Sequence, residues 1–209
     1  MIDLYTWGTP NGRKVSIALE EMGLEYKTHG VDIAKDEQYE PSFLEISPNN
    51  KIPAIVDHDS GIKLMESGAI LLYLAKKTST FIPTENSEDY WRCIEWLMWQ
   101  MGGFGPMLGQ AHHFLRFNQG KSEYAERRYG DEAERLYDVL DQHLEDREFV
   151  AGTYSIADMA IFPWCARWQW HKVDIDEFDN IKRWYKNIAE RPAVQRGYSV
   201  PNPDEIPLP

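Results

Sequence analysis

Three short stretches carry the residues whose types and spacing could do chemistry. In "TWGTPNGRKV" (Thr6 to Val15) the polar turn Gly8-Thr9-Pro10-Asn11-Gly12 separates an apolar run from an amphipathic helix pattern. A strand that turns straight into a helix start can hold an anion, because the first N–H groups of a helix have no acceptor within the helix. The turn contains no cysteine and lacks the phosphate-loop spacing, which points to Thr9 and Asn11. In "NNKIPAIVD" (Asn49 to Asp57) the pair Ile52-Pro53 stands at the start of a strand pattern. Proline cannot donate to a ladder, so the edge it faces is left open. With a cis bond, the Ile52 N–H and C=O would turn outward and pair with an extended peptide. In "MESGAILLYL" (Met65 to Leu74) Glu66 and Ser67 open a helix. They read either as an N-cap or as a clamp. In the clamp, Ser67 and the helix N-terminus hold a carboxylate while Glu66 faces an ammonium. Both charges on one carbon describe a free α-amino-acid head.

The elements that must position these residues follow from periodicity. Ile2 to Trp7 reads as a strand, and Val15, Ala18, Leu19 and Met22 form one helix face closed by Gly23. Tyr26 to Val31 reads as a second strand, and Gln38 to Leu44 as a short helical piece. Ala54 to Asp57 and Ile62 to Met65 flank His58-Asp59-Ser60-Gly61, a hairpin pattern. Ser67 is expected to cap a helix over Gly68 to Lys77. The order is β-α-β-α-β-β-α, one α/β module over residues 1–78. A polar linker is expected over 79–87 and an all-α domain over 88–209. Within that domain Tyr90 to Phe117 is long and helical, with an interruption expected at Gly102-Gly103-Phe104-Gly105-Pro106. Tyr124 to Leu144, Ile156 to Trp170 and a stretch marked by Ile181, Trp184, Tyr185 and Ile188 supply further helices. The tail from Pro201 to Pro209 is expected to lie extended on the surface.

Composition bounds the function. The 209 residues carry 43% hydrophobic side chains and a formal charge of −12. That charge argues against nucleic acid and anionic membrane as partners. No apolar run is long enough for a membrane span. Cys93 and Cys165 are too few and too far apart for a disulfide framework or a metal knuckle, which fits a reducing cytoplasm. His112-His113 could suggest a metal, but neighbours on a helix point about 100° apart. No metal is expected; one ring should pack and the other face water.

Together these pieces resemble the glutathione transferase superfamily, a thioredoxin-like N-terminal domain joined to an all-α C-terminal helical bundle. The resemblance covers the whole chain. "GTYSIADMAIFPW" (Gly152 to Trp164) is similar to the family's folding signature, with Ser155 and Asp158 as a capping box. "TPNGRKVSIALEE", "SPNNKIPAIVDH", "ESGAILLYLA" and "GGFGPMLGQAHHF" resemble the bacterial Nu class, relatives of the yeast nitrogen-regulator-type proteins.

The resemblance implies that Asn11, Gln38, Ile52, Pro53, Glu66 and Ser67 bind glutathione, with Thr9 beside its sulfur. It implies a homodimer in which Arg128 reaches a glutathione held by the other subunit. It also implies reduction of small disulfides by two glutathiones, with weaker conjugation or peroxidase activity on electrophilic co-substrates. A regulatory module of the same fold, with a vestigial site, is the reading from a different class. A thiol of pKa near 8.5 is a few per cent ionised at neutral pH. Lowering that pKa by about two units needs roughly 2.7 kcal/mol, and one charge-assisted hydrogen bond supplies about 1.5–3 kcal/mol. One or two donors among Thr9 Oγ, Asn11 Nδ2 and the helix-start N–H groups would therefore suffice, with no protein cysteine. Tyr5, inside a strand pattern, reads as structural. Because the protein is acidic, an anionic ligand needs local cations; Lys51 and Arg128 are the candidates, with Arg13 adding to them. Phe104, Met107, Gln110, Trp164 and Trp168 are expected to line the acceptor pocket.

Overall fold

The computed structural model describes Met1–Pro209. It divides into two compact units: Met1–Ile82 with Ala189–Ile206, and Pro83–Ile188 with Pro207–Pro209. The segment Ala189–Ile206 thus belongs to the first unit, whereas the sequence pattern assigned everything from residue 88 onward to the second.

The first unit is built on a four-stranded sheet of order β2-β1-β3-β4. Its strands are β1 (Ile2–Thr6), β2 (Tyr26–Gly30), β3 (Ala54–Asp57) and β4 (Ile62–Met65). β1 runs parallel to β2 and antiparallel to β3, which pairs antiparallel with β4. Ile2, Leu4 and Thr6 alternate into the core along β1, the period of two that identified it. Tyr5 points the other way and stacks on His29 at 4.7 Å, as a strand residue would. The weak helical stretch near Gln38 is two 3₁₀ turns, Ile33–Lys35 and Glu37–Tyr39, followed by α2 (Pro41–Leu44).

Helix α1 (Pro10–Glu21) is buried at every residue from Gly12 to Leu19, not along one face only. α3 (Ser67–Thr78) packs on it from one direction with Ile70, Leu71, Leu74 and Ala75 in the core. α10 (Pro192–Tyr198), a helix that the sequence pattern did not reveal, packs on it as well. The approach is close enough that a Cβ on Gly197 would lie 2.6 Å from Ile17 Cα. Ser16 Oγ donates to Gly197 O at 2.6 Å. Arg191 and Arg196 pair with Glu21 and Glu20 at the other end of α1.

The second unit is helical. α4 (Glu88–Trp99) is capped by Ser87, whose Oγ accepts from Tyr90 N. The chain then stays helical through the stretch where a break was expected. It widens into π-type turns at Gln100–Phe104 and His112–Phe117, on either side of α5 (Gly105–Ala111). Packing explains the persistence: a Cβ on Gly105 would lie 2.5 Å from Gln100 Nε2 and 3.2 Å from Trp164 Nε1. Pro106 has no N–H to give to the preceding turn, and the helix is widened just before it, at Gln100–Phe104.

α6 (Glu123–His143) buries Ala133, Leu136, Tyr137 and Leu140. α7 (Ile156–Cys165) is buried at all ten residues and begins with the expected capping box. Asp158 goes further than a cap: it accepts from Ser155 N and Oγ, Val150 N and Trp184 Nε1. Burial raises its carboxyl to about 6, against the pull of these donors. The helix expected over Ile156 to Trp170 is two pieces, because the chain turns after Cys165 and resumes as α8 (Trp168–His171). α9 (Asp179–Ala189) buries Ile181, Trp184, Tyr185 and Ile188. No helix is long and apolar enough to cross a membrane.

The α1–α10 contact yields a stability prediction. Gly197→Ala should lower stability in urea by about 1–3 kcal/mol, the usual cost of overpacking. Gly130→Ala, on α6 with nothing within 4 Å of the added Cβ, should be neutral or slightly stabilising. Equal midpoints for the two variants would show that α10 gives way at no cost.

Candidate functional site

The turn between β1 and α1 is fixed by its own backbone. Thr9 N donates to Trp7 O at 2.7 Å. Thr9 is the N-cap, and its Oγ accepts from Gly12 N at 3.2 Å. A Cβ on Gly12 would sit 2.3 Å from Trp7 O, so only glycine lets the turn close this tightly. Pro10 has no N–H, and the N–H groups of Gly12 and Arg13 are spent on Thr9 Oγ and O. Of the donors expected at this turn, those two N–H groups are engaged in the cap itself. Having accepted from Gly12, the Thr9 hydroxyl keeps its own proton to donate. Both residues are partly exposed, at the positive end of a 12-residue helix.

The second anchor is the start of α3. Glu66, with φ of 71°, is the N-cap and makes no side-chain cap bond; Ser67 is the first helical residue. The structure therefore departs from the expectation of Ser67 as the cap. Its buried hydroxyl lies 3.4 Å from Lys14 Nζ, while Glu66 is exposed. Lys14 is 1% exposed and comes from α1. Burial lowers its ammonium to about 7, and the charge of Glu66 acts in the opposite direction. Sequence reasoning missed Lys14. The signal was there, because Lys14 stands one turn before Ala18 on the apolar face.

Between these anchors the Ile52–Pro53 bond is cis. Ser47, buried beneath this loop, donates to Lys51 O at 2.7 Å and so fixes the residue before it. Lys51 is exposed, Ile52 is partly buried and Pro53 is buried. Gln38 is partly buried on the second 3₁₀ turn, with Nε2 3.4 Å from Asp36 Oδ1. Arg13 does not add to an open positive field. It is 2% exposed, stacked on the Tyr198 ring at 3.7 Å and ion-paired with Asp204. It fastens the C-terminal segment to α1.

In the second unit Arg128 is exposed on α6 and lines a cavity of about 470 Å³. Met107, Tyr124, Arg127, Tyr129 and Arg135 line it too, and Arg135 is held by Glu132 at 2.7 Å. Of the residues expected at an acceptor pocket, Met107 lines this cavity and Gln110 is exposed. Phe104 is a correction: it is fully buried, 4.8 Å from Trp99 and 5.7 Å from Tyr137, because aromatic packing claims it. Trp164 and Trp168 are likewise buried, against His112 and Tyr185. His112 packs as expected, stacked on His171 at 4.6 Å, while His113 is exposed. Cys93 and Cys165 are free and buried, and burial raises both thiols.

Comparison with known proteins places this geometry in a family. Residues 1–76 match the glutathione S-transferase N-terminal domain, and residues 101–192 match the C-terminal domain. The disulfide-bond oxidoreductase YfcG of Escherichia coli (strain K12) is 49% identical over 200 residues, 93% of each chain. A glutathione transferase from Pseudomonas putida, solved with one glutathione disulfide bound per subunit, superposes with a TM-score of 0.92 at 43% identity. That match covers 96% of this chain and 92% of the other. A glutathione transferase from Burkholderia graminis, solved with two glutathione molecules per subunit, gives a TM-score of 0.90 at 43% identity. It covers 96% and 88% of the two chains. The chain belongs to the glutathione S-transferase family.

Proposed function

We propose that this protein is a glutathione-dependent disulfide-bond oxidoreductase that works as a homodimer in the cytoplasm. The observation that carries the reading is the cysteine-free turn at the start of α1, where Thr9 caps the helix and keeps its hydroxyl proton. The likeness to YfcG and to relatives solved with glutathione supports it.

In the reaction, a glutathione thiolate attacks one sulfur of a small disulfide. One thiolate of that disulfide leaves and takes a proton, and a mixed disulfide with glutathione remains. The thiolate of a second glutathione attacks the glutathione sulfur of that mixed disulfide. The products are glutathione disulfide and the second thiol, so two electrons pass from two glutathiones to one disulfide. Thr9 Oγ and Asn11 Nδ2 donate to the thiolate, and the N-terminus of α1 adds its partial positive charge. Neither side chain is a base at neutral pH, so the site stabilises a thiolate and does not abstract the thiol proton.

Glu66 and Ser67 grip the γ-glutamyl head, whose ammonium and carboxylate match a carboxylate beside a helix start. The Ile52 backbone pairs with the cysteinyl peptide group, Pro53 fixes the loop, and Gln38 and Lys51 serve the glycyl end. Arg128 reaches the glutathione held by the other copy. Its exposure and the arginines around its cavity support that role.

Asn11→Ala should lower disulfide reductase turnover at least tenfold, the loss of about one charge-assisted hydrogen bond. Cys93→Ser and Cys165→Ser should leave turnover nearly unchanged; a cysteine variant that folds but has lost turnover would overturn the mechanism. Ser67→Ala and Glu66→Gln should each raise the Michaelis constant for glutathione more than they lower saturated turnover, because they act far from sulfur. Unchanged constants in both would reduce the pair to a helix start.

Arg128→Ala should weaken glutathione binding in calorimetry, and Arg128→Lys should restore it only in part, since lysine cannot hold a carboxylate bidentately. Wild-type affinity in Arg128→Ala, with the dimer intact by light scattering, would remove Arg128 from the site.

A further inference from the structure

We propose that the C-terminal segment positions the turn between β1 and α1: Asp204 holds the Arg13 guanidinium against Gly8, and this grip keeps Thr9 and Asn11 aimed at the glutathione sulfur. The inference rests on the proposed function. It makes Asp204, 191 residues along the chain from Arg13, a positioning residue for the sulfur.

Geometry carries the argument. Arg13 Nη2 donates to Asp204 Oδ2. The same nitrogen lies 3.9 Å from the place that a Cβ on Gly8 would take. Arg13 also meets the turn through its backbone, since its N–H donates to Thr9 O at 3.0 Å. One residue thus touches the turn at Gly8 and at Thr9, the cap of α1. Its guanidinium is held on the other side by the C-terminal segment. The Tyr198 ring lies 3.7 Å from Arg13 Cζ. Asp204 is itself set by its neighbours: Ser199 Oγ donates to Asp204 O at 3.0 Å, and Glu205 N donates to Asp204 Oδ1 at 3.0 Å. Both carboxylate oxygens are in use, one on its own segment and one on α1.

The chemistry makes this more than an anchor. The turn has glycine at each end, Gly8 and Gly12, so few side-chain contacts of its own fix it. A guanidinium is planar and keeps its charge, which suits it to act as a rigid support. It is 2% exposed, whereas the Asp204 side chain that grips it is 46% exposed. Displacing a donor by about 1 Å costs up to about a hundredfold in rate, because charge-assisted hydrogen bonds are short and directional. Loosening Asp204 would therefore reach the sulfur through Arg13. Glu66, Ser67 and Ile52, which stand at the start of α3 and in the loop before β3, would keep their places.

Two readouts on the whole protein separate position from charge and from stability. Asp204→Asn should lower saturated disulfide reductase turnover about tenfold. S-methylglutathione, which has no thiol, should still bind with wild-type affinity in calorimetry. Titrating bound glutathione by the ultraviolet absorbance of its thiolate should show the midpoint moving up by about one pH unit, tenfold in the thiolate equilibrium. The sign discriminates. Loss of the Asp204 charge alone would strengthen the positive field of Arg13, and a nearby cation favours the thiolate, so the midpoint would fall. Asp204→Glu, which keeps the carboxylate, should recover most of the turnover. Glu205→Gln, which removes the neighbouring charge, should change neither turnover nor midpoint. In an Arg13→Lys background Asp204→Asn should add little, because the two residues act as a unit. If Arg13→Lys does not fold, the variants at half-exposed Asp204 still decide.

An unchanged or lowered midpoint in Asp204→Asn, a loss of S-methylglutathione affinity as large as the loss of turnover, no recovery in Asp204→Glu, an equal effect of Glu205→Gln, or full additivity with Arg13→Lys would each overturn the inference and leave the proposed function standing. No binding of S-methylglutathione to the wild type would overturn both.

Discussion

The site depends on burying helix α1 along its length while leaving its start open. An anion can use the N-terminus of a helix only if that end is accessible, and a short helix with a bare end frays unless the remainder is held. Here Gly12 to Leu19 are all buried, and Thr9 and Asn11 are not. Two glycines make this possible at two scales. Gly12 lets the chain turn against Trp7 O, and Gly197 lets the backbone of α10 lie against Ile17. Two ion pairs and the Ser16–Gly197 hydrogen bond then hold α10 in place. The helix that follows the candidate turn is positioned by segments nearly two hundred residues apart in sequence.

Two buried cations on that helix show how one charge type meets different requirements. Arg13 and Lys14 are adjacent and both at most 2% exposed. Arginine cannot shed its proton, so a buried guanidinium must find a permanent carboxylate and a flat surface. Arg13 finds Asp204 and the Tyr198 ring. Lysine can lose its proton when buried, so it need not be fully compensated in the free protein. Lys14 lies 3.4 Å from the Ser67 hydroxyl, and burial lowers its ammonium to about 7.

The α/β module was legible because its signals are local. Period-two alternation marked β1, the hairpin residues marked β3 and β4, and the polar turn marked the start of α1. The helical elements were harder where tertiary contact decides. Gly102-Gly103 and Pro106 read as a break, yet the chain stays helical through them with a widened turn, and Gly105 beside them packs against Gln100 and Trp164. α10 has seven residues and buries only Val194, Gly197 and Tyr198. Its apolar face is too short for a periodicity argument, and it exists because α1 needs a cover. Among the candidate site residues, Thr9 and the Glu66-Ser67 pair were singled out by type and spacing. Lys14, buried 3.4 Å from Ser67 Oγ, was not singled out, because a lysine on an apolar face is ordinarily read as reaching past it to water. Phe104 was misplaced for the converse reason: an aromatic in a glycine-rich stretch reads as a pocket wall, but Trp99 and Tyr137 supply enough surface to bury it.

A site without a reactive cysteine also changes what the protein can remember. A protein thiol that enters the exchange must be reduced before each cycle and can be oxidised past recovery. Here Cys93 and Cys165 are buried with raised thiols, away from electrophiles and slow to ionise. Under the proposed reaction no oxidation state is stored on the chain, so both electrons arrive and leave on glutathione. The direction of exchange then follows the ratio of glutathione to its disulfide, with no reduction potential of the protein's own to oppose it. The protein contributes position and charge only. A capped turn, a helix start and a few well-placed donors are therefore enough, and a fold held this firmly around α1 is where the catalytic advantage must come from.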